Sequence, residues 1–174
     1  LDPLAIHGIE DQIQKENVQP ENLLRAVNFA VEKSRLNKKI TEQQQTLAYL
    51  AYHDTLTELP NRLFFYESLK KTIPRAKRFD RLMAILFLDI DNFKSINDSL
   101  GHHIGDKLLV EVAKRLNKTT RENDIVARMS GDEFAIILDE IEQYLGAGIA
   151  AERIMSALKP PFKIENERIY LTVS

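Results

Sequence analysis

Two adjacent carboxylates stand at the tip of what reads as a β-hairpin. Arg128-Met129-Ser130-Gly131-Asp132-Glu133-Phe134 interrupts two strand-forming runs, Ile125 to Ala127 before it and Phe134 to Leu138 after it. Ser-Gly-Asp between such runs has the composition of a tight turn, with Gly131 free to take positive φ. Side chains alternate along a strand, so Asp132 and Glu133 are expected to point to different sides, which suits two separate tasks better than one shared proton. Taken alone, the same residues also suit a solvated acidic hairpin tip. A second acidic stretch changes the balance. Met83-Ala84-Ile85-Leu86-Phe87-Leu88 is a continuous apolar run of strand length that ends in Asp89-Ile90-Asp91, the pattern of a central strand covered on both faces. If the hairpin lies beside this strand, Asp89 and Asp132 converge. Two hard oxygen donors and a strand-end carbonyl then make an open Mg²⁺ site with room for phosphate oxygens.

The elements that must position these acids can be followed along the chain. Its 174 residues, 44% of them hydrophobic, suffice for one core, and the first fifty residues differ from the rest. From Glu21 to about Tyr52 there is no Gly or Pro, and Leu24, Val27, Val31, Leu36, Ile40, Leu47 and Leu50 recur at helical spacing. One long helix is expected. Its apolar stripe is thin and shifts phase, so it reads either as a parallel dimer helix or as a helix packed along its own domain. Asn61 is a good N-cap for an amphipathic helix from Arg62 to about Arg78, which Pro74 is expected to end or kink. After the Asp89 strand, Phe93 to Leu100 reads as a short helix closed by Gly101, and Asp106 to about Thr120 as a longer one. Beyond the hairpin, Ile141 to Leu158 reads as a helix stopped by Pro160-Pro161, and Phe162 to Ile164 and Ile169 to Val173 as two strands. The fold class is α/β (α+β): a mixed central sheet covered by helices, with a long N-terminal helix.

A net charge of −2 and the lack of a basic block argue against a nucleic-acid track. With no cysteine, no long apolar span and no secretory leader, a cytoplasmic chain without disulfides and without visible membrane contact is expected. The missing initial methionine suggests a piece of a longer polypeptide, which can carry an anchor elsewhere.

Four ordered motifs carry a resemblance. Asp54-x-Leu56-Thr57-x-Leu59-Pro60-Asn61-Arg62, Asp89-Ile90-Asp91-x-Phe93-Lys94-x-x-Asn97-Asp98, Gly101-His102-x-x-Gly105-Asp106 and Ser130-Gly131-Asp132-Glu133-Phe134 together resemble the signatures of the GGDEF family of diguanylate cyclases, from about residue 53 to the end. The departures are Ser130 for the usual first glycine, Glu58 where glycine often stands, and a chain that stops at Ser174 before the family's usual end. Residues 1–20, with Gly8 to Lys15 and Pro20 to Leu24, resemble the end of a response-regulator receiver domain, as in two-component systems. Residues 21–52 would then be a linker and dimerisation helix, and 53–174 a GGDEF domain, apparently truncated, with a palm-like fold resembling nucleotide cyclases and polymerases.

The resemblance implies a reaction in which two GTP condense to cyclic di-GMP with loss of two pyrophosphates. It implies that Asp89, the Ile90 carbonyl and Asp132 hold Mg²⁺ (or Mn²⁺), and that Asp132 accepts the proton with Glu133 assisting. Lys94 would stabilise phosphate charge, and Ser130 and Gly131 would bring backbone to the nucleotide. Asn97 and Asp106 would read guanine, with His102 beside the substrate. Read from residue type alone, Lys94 also suits a solvated helix face, Asp106 an N-cap and His102 a surface position. Each GTP supplies both nucleophile and electrophile, so a homodimer is implied. Arg121 and Asp124, an Arg-x-x-Asp upstream of the turn, match the family's inhibitory site for its product, or else form an ordinary surface pair. The alternative to an active cyclase is a silent module that binds GTP or cyclic di-GMP and regulates an attached domain, such as an EAL phosphodiesterase. The short chain by itself is expected to be poorly active.

Overall fold

The computed structural model describes residues 20–141 and 143–174. The receiver-like segment, apart from Pro20, lies outside the described residues. Helix α1 spans Pro20–Tyr52 and presents Leu24, Val27, Val31, Leu36, Ile40, Leu47 and Leu50 to solvent. The chain divides into two units, up to Ala48 and from Tyr49 to Ser174, and the second carries every candidate site residue.

In the second unit α2 (Arg62–Arg78) is followed by β1 (Leu82–Asp89), α3 (Phe93–Leu100), α4 (His102–Thr119), β2 (Ile125–Ser130), β3 (Glu133–Ile141), α5 (Leu145–Leu158), β4 (Phe162–Ile164) and β5 (Glu167–Ile169). The three longer strands form an antiparallel sheet in the order β1-β3-β2, and β4 and β5 form a separate hairpin. A parallel bridge between Asn61 and Arg128 ties the entry of α2 to this sheet. Phe134, Ile136 and Leu138 of β3 face a core built with α4 and α5. Ala135 and Ile137 face a smaller cluster with Phe65 of α2. The period-two pattern of one strand thus feeds two apolar layers, with helices on both sides.

The central strand is therefore β3, and the expectation that the Met83 to Leu88 run is central is corrected. β1 pairs along one edge with β3, and at its end Ile90 bridges to Val173. Leu88 is buried, whereas Phe87 on the opposite face is 68% exposed. Hydrophobic continuity does not separate a doubly covered strand from one covered on a single face.

Asn61 caps α2, its side-chain oxygen accepting from Phe64 N–H at 3.1 Å. The helix runs through Pro74 to Arg78, so Pro74 does not end it. Thr72 and Ala76 bury the inner face on either side of Pro74, holding the helix across one missing hydrogen bond. α4 begins at His102, four residues before the expected start. Gly101, at φ 87, closes α3 and opens α4 with its carbonyl accepting from Ile104 and Gly105. Ile141 belongs to β3, and α5 starts at Leu145. β5 covers only Glu167–Ile169, after a turn in which Glu165 takes φ 54, so of the expected strand from Ile169 to Val173 only Ile169 lies in it and Val173 makes an isolated bridge to Ile90.

Candidate functional site

Strand pairing brings the acids together. Asp89 at the end of β1 lies directly across from Glu133, the first residue of β3, and Glu133 is also paired with Ser130 of β2. Gly131, at φ 45, and Asp132 form the two-residue loop between the paired ends. Partial burial, then the charges of Asp132, Glu133 and Asp91, push the Asp89 carboxyl above its ordinary value. Four carboxylates thus share one rim of the sheet with no cation of the protein among the causes acting on Asp89. Among the described residues no three His, Asp or Glu side chains close round one point. Two carboxylates and a carbonyl are the donors at hand, and this set fits a hard cation that keeps positions open for phosphate. Among the described residues the Ile90 carbonyl accepts a single 3.3 Å bond, from Phe93 N–H, leaving a second lone pair.

Ser130 carries its own function in the turn. Its hydroxyl donates to Glu133 Oε2 at 2.6 Å, so Glu133 is held on the side of β2. Ser130 lies outside the left-handed region, unlike Gly131, so serine here carries no backbone strain. Glu58 is the costlier departure: it takes φ 59, a conformation that costs a non-glycine residue about 1–2 kcal/mol.

The helical candidates follow the β1 end, in α3 and α4. Asn92 takes left-handed backbone at φ 57 and turns the chain into α3, whose first residue, Phe93, is buried. Lys94 follows in the first turn, exposed and without an ion pair among the described residues. Asn97 is half-buried, and its Oδ1 is a buried acceptor with no partner among the described residues. Gly105 of α4 packs against this amide; a β-carbon there would lie 1.9 Å from Asn97 Oδ1. Asp106 follows Gly105 within α4, exposed, and so is not an N-cap. His102 is exposed at the start of α4. Its neighbour His103 reaches Glu165, which Lys107 also engages.

A match to a family model decides what this arrangement belongs to. The model described as "Diguanylate cyclase, GGDEF domain" matches residues 51–174. The chain belongs to the GGDEF family. Among its relatives, the bifunctional diguanylate cyclase/cyclic di-GMP phosphodiesterase MucR of Pseudomonas aeruginosa is 38% identical over 141 residues, covering 81% of this chain and 20% of MucR. The solved GGDEF domain of TpbB (YfiN) from Pseudomonas aeruginosa superposes with a TM-score of 0.68 at 38% identity, over 70% of this chain and 71% of that one. The coiled coil and GGDEF domain of DgcB from Caulobacter crescentus, in complex with c-di-GMP, gives a TM-score of 0.75 at 26% identity, over 83% and 77%. The chain spans only about a fifth of MucR.

Arg121 and Asp124 of this GGDEF domain lie in the loop before β2 and do not form a side-chain ion pair with each other. Arg121 N–H donates to Asp124 Oδ2 at 2.8 Å, and Asp124 Oδ1 accepts from Asp139 N–H at 3.3 Å. Asp139, buried, pairs with Arg75. Both Arg121 and Asp124 line a cavity of about 270 Å³ against α5, to which Arg153 also contributes. Sequence reasoning missed Arg153, because no local spacing connects it to Arg121. It also missed Arg128, whose guanidinium lies beneath the signature turn.

Among the described residues no helix is long and apolar enough to cross a membrane.

Proposed function

We propose that this domain condenses two GTP into cyclic di-GMP with release of two pyrophosphates, as the catalytic part of a longer signalling protein. The observation that carries the proposal is the acidic rim, where strand pairing sets Asp89 across from Glu133 beside the Gly131–Asp132 turn and where burial, then the charges of Asp132, Glu133 and Asp91, raise the Asp89 carboxyl. Such crowding is unfavourable until a cation arrives, and it stands where phosphates can reach it. Asp89, Asp132 and the Ile90 carbonyl would hold Mg²⁺ or Mn²⁺. When bound, the ion neutralises phosphate charge and makes a coordinated hydroxyl more acidic.

The chain's own residues supply positioning. Asn97 Oδ1, a buried acceptor without a partner among the described residues, suits the N1–H or exocyclic amine of guanine, and Asp106 on the adjoining helix supplies further acceptors. Lys94, exposed at the first turn of α3, suits developing phosphate charge, and His102, exposed at the start of α4, suits a contact with the substrate. In each half-reaction a 3′-oxygen forms a bond to the α-phosphorus of the facing GTP, the bond to pyrophosphate breaks, and the hydroxyl proton passes to Asp132. Glu133, kept aside by Ser130, assists from the opposite strand face. Ser130 and Gly131 bring backbone close to the nucleotide. Because each nucleotide is both attacker and target, two domains must meet face to face. α1, with its exposed apolar stripe, is suited to pair them as a parallel dimer and to relay the state of a preceding domain. Arg121, Asp124 and Arg153 around their cavity suit product bound away from the chemistry, with arginine on guanine or phosphate and the carboxylate on guanine N–H groups.

The test is incubation of the full-length protein with GTP and Mg²⁺, with cyclic di-GMP followed by chromatography. Asp132→Asn should abolish turnover, since it removes a rim charge and the proton acceptor, while GTP binding persists. A parent that binds GTP but makes no product would instead identify a silent regulatory module.

A further inference from the structure

Arg128 sits one bulge before the signature turn, at the register shift between Arg128 and Ser130 in the β2–β3 ladder. Its side chain is only 12% exposed. Two of its donors converge on one acceptor: Nε lies 2.9 Å and Nη2 2.7 Å from the carbonyl oxygen of Gly131. The third, Nη1, donates to Asp54 Oδ1 at 2.9 Å. Asp54 is in turn fixed by Thr57, whose N–H and hydroxyl donate to the same oxygen at 2.8 and 2.7 Å.

The carbonyl that Arg128 grips belongs to the peptide joining Gly131 to Asp132. That unit is planar and trans, so fixing the C=O also fixes the Asp132 N–H, which points the opposite way. Gly131, at φ 45, has little intrinsic preference to hold the plane. A charged fork with two bonds to one oxygen supplies it. The grip is itself anchored: Arg128 N–H donates to the Pro60 carbonyl at 2.9 Å, and Asn61 binds the Ala51 and Tyr52 carbonyls at 2.9 Å through its side chain and its N–H.

We infer that Arg128, braced by Asp54, is a positioning residue for the nucleotidyl transfer: it sets the plane of the Gly131–Asp132 peptide and thereby aims the Asp132 carboxylate and N–H at the reacting phosphate. The inference rests on the cyclase reading for its kinetic consequence but not for its geometric one. The guanidinium of Arg128 bonds to the Gly131 carbonyl and to Asp54, and Asp54 to Thr57, so on this inference both act on kcat through the turn.

The experiment compares the parent with Arg128→Lys, Asp54→Ala and Asp54→Asn in the full-length protein, measuring kcat and KM for GTP, thermal stability, and amide exchange at Asp132 by NMR. Lysine keeps the charge but cannot span both Gly131 and Asp54 with one nitrogen. Misplacing a reacting group by about 1 Å costs roughly 100-fold in rate. Arg128→Lys and Asp54→Ala are therefore expected to lower kcat about 10- to 100-fold with KM for GTP within about threefold, and to speed exchange at the turn. Asp54→Asn, which keeps an acceptor for Thr57 and Arg128, should restore most of both. Parental kcat in Arg128→Lys would overturn the inference, as would losses that merely track the folded fraction. If the parent makes no cyclic di-GMP, the cyclase reading fails on its own. Turn exchange then decides the clamp, and unchanged exchange at Asp132 in Arg128→Lys refutes it.

Discussion

Alanine in place of Gly105 should separate stability from selectivity. In the interior of a helix such as α4 the exchange ordinarily gains about 1 kcal/mol. Here the new β-carbon would lie 1.9 Å from Asn97 Oδ1, 3.0 Å from its Cγ and 3.2 Å from Cζ of Phe93. Ordinary contact is about 3.5–4.0 Å, so the amide must withdraw by roughly 1.5–2 Å. Phe93, buried, has to yield only a few tenths of an ångström, whereas the amide stands at the end of a side chain and can swing away. The clash and the helix propensity then nearly offset, and Tm should change by less than about 4 °C. On the proposed guanine contact, the base edge then loses its acceptor. A lost base hydrogen bond costs about 1–3 kcal/mol, or roughly 5- to 150-fold in preference for GTP over ATP. The assay is the ratio of kcat/KM for the two nucleotides, or their affinities by calorimetry. Asn97→Ala should lose the same factor, and the double variant no more than either alone. A Gly105→Ala protein with parental Tm and parental selectivity would refute the role assigned to Asn97.

Arg121→Ala should relieve inhibition by cyclic di-GMP while leaving the initial rate nearly unchanged, because its cavity lies away from the acidic rim. Parental sensitivity to product in rate curves would return Arg121 to the status of a surface residue. Burial raises the Asp54 carboxyl, but the bonds from Thr57 and Arg128 outweigh it and hold the group below its ordinary value. Its stabilising effect is thus complete above the unfolded-state value near pH 4 and is lost as pH falls through the lower folded value. The Tm difference between parent and Asp54→Asn should be constant from about pH 5 upward and shrink toward pH 3. A difference that does not change over this range would contradict the bonding of Asp54.

Local rules in the sequence read the hairpin well. Gly131 does take the positive φ that turn composition demands, and Asn61 does cap α2, because both depend on residues within a few positions of one another. The convergence of Asp89 with the hairpin follows from β1 pairing with β3, which apolar runs suggest but do not order. Hence the apolar pattern alone points to β1 instead of β3 as the central strand. The sequence places the start of α4 at Asp106, too late, because Gly101 serves two helices at once, a geometry that helix propensity does not encode. Arg128 escaped because Asp54, which braces it, lies far away along the chain, and Arg153 because it shares only a cavity with Arg121 and no local spacing. Gly105 was legible only as part of a motif; that its missing side chain makes room for Asn97 is a fact of helix packing.

The position of β1 at the sheet edge has a consequence for handling the protein. Its run Met83 to Leu88 is short, apolar, β-prone and uncharged, the composition of segments that stack between molecules. Ile85 and Phe87 lie on its more exposed face, and among the described residues its outer edge is occupied only near its end, by 172–174. A concentrated preparation of these 174 residues therefore depends on keeping that ribbon from finding a second copy of itself. A single lysine at Phe87, beyond the buried core, is the gatekeeper that should lengthen its shelf life in concentrated solution.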